Sequence, residues 1–187
     1  MTAALGLVAP EASRLGWEAA GRVGPSVVAD ARRAECAMWG SRHLTAAADD
    51  RLNDLLDRVV SSADASALPI FAAARARTVS YESAGAWAAV LISLLHEYRA
   101  GVMLLATRAC GLRPVEALIG GPEGEQEALT LGWSPPFPSR IAVLRRFTYA
   151  QALANRIAAP IFGVLTRDER AELVQRLAST AAVISHA

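Results

Sequence analysis

Few residues in this chain have types and spacings that admit chemistry. His96 and Arg99 stand one helical turn apart in a long apolar stretch and can serve one pocket. There His96 would act as general acid or base, and Arg99 would clamp a carboxylate or steady an oxyanion. Glu97 points about 100° away from His96. In Cys36-Ala-Met-Trp39-Gly-Ser-Arg-His43, Cys36 and His43 lie two turns apart on one face, a nucleophile and a base in principle. The plainer reading is a small buried thiol and a surface imidazole, and Cys110, at a helix end, reads as an inert structural thiol. His43, His96 and His186 are far apart and lack carboxylates at ligand spacing, so neither a metal nor a cofactor is expected. No Gly-rich phosphate loop, nucleophile elbow or HExxH motif occurs.

The elements that position these residues read as helical nearly throughout. The chain has 187 residues and is 53% apolar, enough to fill a core, which excludes disorder as its main state. Its 19 basic residues, all arginine, almost balance 18 acidic ones, and the net charge of +1 argues against a broad nucleic-acid footprint. Residues 84–105 are apolar enough to suggest a membrane span. With His96, Glu97 and Arg99 near its middle, at roughly 2.5–3.5 kcal/mol per central charge, a buried helix of a cytoplasmic protein is the better reading. Helices are expected at 11–22, 25–42, after Asp49 or Asp50, at 65–77, 80–109, 114–119 and 140–158, with a last one capped by Thr166 and Glu169. Residues 120–139 form an irregular region with at most a short helical piece at 125–131. On the long helix Trp87, Val90, Leu91, Leu94, Leu95, Tyr98, Val102 and Leu105 make a core stripe. Ile92, His96, Arg99 and Met103 make a second line beside it.

His96-Glu-Tyr-Arg99-Ala-Gly-Val-Met103, followed by Gly111-Leu112 and Pro114-Val-Glu-Ala-Leu118, resembles the core of the carboxymuconolactone decarboxylase and AhpD-like alkylhydroperoxidase family. Residues 141–153 and 161–173 are similar to that family's last two helices. The resemblance places His96 and Arg99 at the two cysteines of the Cys-x-x-Cys-x-x-x-His motif and Met103 at its histidine. It implies an AhpD-like helical bundle over 80–187, with residues 1–79 as a helical extension packed on it. Thiol peroxidase chemistry on this helix is excluded, because no cysteine stands at either position. Glu82 lies near the place of the family's upstream carboxylate and would orient His96.

Two functions follow as expectations. The first is non-redox acid/base catalysis of a decarboxylase, isomerase or lyase type on a small anionic or carbonyl compound. It would use His96, Arg99 and Glu82, with Ile92, Met103, Trp133 and Phe137 lining the pocket. The second is a non-catalytic ligand-binding or interaction protein on the same scaffold. The apolar loop 131–138 adds the expectation of a homo-oligomer, a dimer first, with that loop at the interface or the pocket mouth. Neither a nucleic acid nor a membrane is expected as a partner.

Overall fold

A computed structural model of the chain describes residues 7–185, with side-chain surroundings through residue 182. His186 and the side chain of Ile184 lie outside that description. Among the described residues all regular structure is helical, so the expected all-α class stands. The order is α1 (Pro10–Val23), α2 (Pro25–His43), α3 (Asp50–Ser62), α4 (Pro69–Ala76), α5 (Ala84–Ala109), α6 (Pro114–Gly120), α7 (Glu125–Thr130), α8 (Arg140–Ala158), a 3-10 turn (Ala159–Val164) and α9 (Arg167–Ser185).

The starts follow local chemistry. Proline opens α1, α2, α4 and α6, where its missing N–H costs nothing. The Asp49 carboxylate accepts from the Leu52 amide at 2.8 Å and caps α3. Glu169 N donates to Thr166 Oγ1 at 3.2 Å while Thr166 N donates to Glu169 Oε2 at 2.9 Å, which is the anticipated capping box of α9. Gly111, at φ +67°, lets the Leu112 amide reach back to Thr107 O at 3.1 Å and close α5. Two boundaries differ from expectation. The fourth helix starts at Pro69 rather than Ala65, because the residue before a proline is pushed out of helical geometry. The long helix starts at Ala84 rather than Ser80, because the Ser83 carbonyl accepts from Trp87 N at 3.0 Å and so opens the ladder.

The chain forms two compact units. One comprises the residues through Pro25 and Arg99–Ala158; the other comprises Ser26–Tyr98 and the residues from Ala159 onward. These limits cut α5 between Tyr98 and Arg99. The 1–79 and 80–187 division implied by the resemblance stays an expectation.

In the second unit, α3 buries Leu52, Leu55, Leu56, Val59 and Val60 and packs against the 3-10 turn and α9. Its outer charges engage α9: Arg58 reaches Glu169 at 2.6 Å, Arg51 reaches Glu172 at 2.9 Å, and Arg176 reaches Asp49 at 2.7 Å. The backbones of α2 and α5 approach so closely at Gly40 and Gly85 that a Cβ on either would overlap the other's carbonyl oxygen. Of the stripe on α5, Val90, Leu91, Leu94, Tyr98 and Val102 are buried, and Trp87 and Leu95 are half-buried. Leu105 is exposed instead; the last turns bury Ala106 and Thr107, so the buried side rotates along the 26-residue helix. By length and composition α5 could cross a bilayer, and 39% of its most apolar stretch is buried inside the protein.

In the first unit, α6 is buried from Val115 to Gly120 and packs against both α7 and α8. Four residues, Gly121-Pro-Glu-Gly124, join α6 to α7. Gly120 sits against Phe147 of α8, where an added Cβ would meet Phe147 Cβ at 2.6 Å. From α8, Val143, Phe147, Ala150, Ala154 and Ala158 face inward at helical spacing.

Candidate functional site

His96 and Arg99 are both exposed and have no hydrogen-bond or ion-pair partner among the described residues. Glu82 is exposed in the bend before α5, also without a partner, and nothing brings its carboxylate to His96. Ile92 and Met103 are half-buried on α5. Trp133 and Phe137 are half-buried in the loop after α7, and Trp133 is already committed: its Nε1 donates to Leu7 O at 2.7 Å. Ala9 N donates to Leu131 O at 2.9 Å, and Gly132 lies against Ala12. The chain's own segment 7–12 thus packs on the start of the apolar loop, at Leu131, Gly132 and Trp133, while Ser134, Pro135 and Pro136 are exposed. Of the two cysteines, Cys36 packs on the Ala37, Ala86 and Val90 cluster, and burial pushes its thiol up against the opposing influence of Arg32 and Ser93. The His43 ring stacks on Trp39 with centroids 5.0 Å apart. The structure therefore places the thiol in a packed position and the imidazole on an indole.

A concave surface lies elsewhere. An open groove of about 950 Å³ runs between the end of α5, at Ala109 and Cys110, and one side of α8, at Ile141, Leu144, Arg145, Arg146, Thr148, Tyr149 and Ala152. Helix α8 carries Arg140, Arg145, Arg146 and Arg156 and no carboxylate. Arg146 is held: its guanidinium donates to Gly111 O at 3.0 Å and lies 3.4 Å from Glu116. Burial disfavours the charged form of Glu116, but the Arg113 amide at 2.7 Å and the guanidiniums of Arg113 and Arg146 outweigh it, so the carboxyl titrates below its usual range. Arg140, Arg145 and Arg156 are exposed and unpaired among the described residues. Numbered at 100° per residue, Ile141, Arg145, Thr148, Ala152 and Arg156 form one line opposite the buried face. Ile141 is 88% exposed and Tyr149 is 60% exposed.

Helix α7 has the opposite character. Glu123 and Glu125 are exposed beside it, and Glu127, half-buried, has its carboxyl raised first by burial and then by the charge of Glu123. The first unit nevertheless holds nine arginines against six carboxylates, whereas the second holds ten against twelve. The near-neutral total conceals this split.

Helices α6 and α7 are short and joined by a four-residue turn with two glycines, a turn length that helix-turn-helix motifs use, and a long arginine-bearing helix follows. The model of a helix-turn-helix family matches residues 1–146, more than three quarters of the chain, and the chain belongs to that family. No curated protein and no solved structure matches it.

Family membership corrects three expectations. The resemblance to carboxymuconolactone decarboxylases and AhpD-like proteins does not hold; it rested on an amphipathic helix, a Gly-Leu turn and a short helix, a pattern that many helical proteins share. Acid/base catalysis by His96 and Arg99 on a small anion falls with it, as does the scaffold of the non-catalytic alternative. The choice of a small molecule as partner, with nucleic acid excluded, is likewise overturned, since the exclusion averaged charge over both units. The sequence reading expected the helix at 140–158 but drew nothing from its one-signed charge. Residues 128–167 contain no Asp or Glu, and that asymmetry was a usable signal.

Proposed function

We propose that this chain is a cytoplasmic DNA-binding protein of a regulatory kind and that the first unit carries its interface. The observation that carries the reading is α8: a 19-residue helix with an exposed arginine face and no carboxylate, in a chain of a helix-turn-helix family. Three unpaired guanidiniums can replace counterions on phosphates, which is the main source of affinity for duplex DNA. Helix α7, edged with glutamates, gains nothing from approaching a phosphate backbone.

Fluorescence anisotropy with a labelled mixed-sequence duplex tests this. At 50 mM salt the protein binds in the micromolar range, and the double variant Arg140→Ala/Arg156→Ala binds at least tenfold more weakly with unchanged helical circular dichroism. Absence of binding by the parent protein at that salt, or full binding by the double variant, overturns the proposal.

A further inference from the structure

Resting on that reading, we infer that α8, rather than α7, is the helix that reads base sequence, and that Arg145, Thr148, Ala152 and Ile141 are the residues that do so. By order and length, α6, the Gly121–Gly124 turn and α7 form the motif whose second helix ordinarily enters the major groove. Here that second helix has only six residues, EQEALT, and the exposed Glu123 and Glu125 lie at its start, where a recognition helix contacts bases between two rows of phosphates. Each carboxylate there would be repelled by both DNA strands, with no arginine on α7 to offset it.

Helix α8 meets each requirement that α7 fails. It is long enough, about 28 Å at 1.5 Å per residue, to lie along a groove about 12 Å wide. Its outward line places small side chains, Thr148 and Ala152, at the centre, so the helix axis can come close to the base edges. Arg145 stands one turn before Thr148, and its planar fork matches O6 and N7 of guanine. Ile141, Ala152 and the Thr148 methyl offer apolar contact of the kind thymine methyl groups accept. Arg156 lies at the C-terminal end of this line and Arg140 at the first residue of the helix, about 100° round from Ile141, so each end of α8 carries a guanidinium for the flanking phosphates. From Ile141 to Ala152 the helix rises about 16 Å, which corresponds to about five base pairs at 3.4 Å each. The target is therefore duplex DNA containing a guanine among thymines within a stretch of that length.

Selection from a pool of randomised duplexes, followed by anisotropy on the enriched site and on mixed-sequence DNA, decides the matter. The enriched site is expected to hold a guanine whose replacement costs the parent protein about tenfold in affinity. Arg145→Lys, which keeps the charge and loses the fork, is expected to abolish that preference while mixed-sequence affinity changes by a few-fold only. Glu125→Gln and Gln126→Ala on α7 should leave the preference as it was. A pool that shows no enrichment, or a preference that survives Arg145→Lys and shifts with Gln126→Ala, overturns the assignment to α8 while leaving DNA binding intact. Loss of all DNA binding by the parent protein overturns the functional reading itself, so the two failures are separable.

Discussion

At the scale of single residues, the glycines separate space from conformation. Gly40 has no room: a Cβ there would fall on the Gly85 carbonyl oxygen and lie 2.5 Å from Ala89 Cβ, inside a backbone contact between α2 and α5. Gly16, in the exposed middle of α1, has nothing within 4 Å of the same position. Gly40→Ala should therefore destabilise the protein by about 1–3 kcal/mol, the usual cost of overpacking. Gly16→Ala should stabilise it by about 0.4–1 kcal/mol, because it restricts the unfolded chain at a site where helix is already formed. Urea melts of the two variants check the pair, and equal signs would contradict the geometry. The sequence shows glycine at both positions and cannot tell them apart, because the difference lies in a neighbour 45 residues away.

At the scale of elements, α9 is tied to α3 through Glu169, which accepts from Arg58 and from its own capping partner Thr166. Those hydrogen bonds lower the Glu169 carboxyl to about 2 from an ordinary value near 4.5. A carboxylate bound more firmly in the folded state contributes stability that is complete above the unfolded value and disappears as pH falls through the folded one. The melting temperature should accordingly decline between about pH 5 and pH 2. Glu169→Gln should lower it at neutral pH and flatten that decline; thermal melts by circular dichroism across this range provide the check. How legible elements were depended on where their signal sits. The capping box, the helix-opening prolines and Gly111 are local, so most helix limits could be read directly. Leu105 faces solvent and Ala106 is buried because of what packs on α5, and no periodicity along the helix carries that information. The proposed interface was harder still. The run without carboxylates at 128–167 is plain in the sequence, but which of its arginines are free depends on Glu116 claiming Arg146 from another helix.

At the scale of the whole molecule, charge is divided between the units, with a surplus of three positive charges on the first and of two negative charges on the second. If Arg140 and Arg156 each displace a counterion from DNA, log affinity should fall against log salt with a slope near −1.8, which is about tenfold between 50 and 200 mM. Arg156→Ala should reduce the slope by about 0.9. Anisotropy titrations at four salt concentrations measure both, and a slope near zero would show that phosphate contacts do not drive the association.

All the cations of α8 are arginines. A guanidinium is not a substrate for the amine acylation that neutralises lysine. The face accordingly keeps its charge under any acetyl donor, and amine-reactive labels leave it untouched. If the proposed DNA binding holds, acylation cannot bring about release by erasing that charge. Release would then come by other means, competition for the face or displacement of α8 from Gly120 among them.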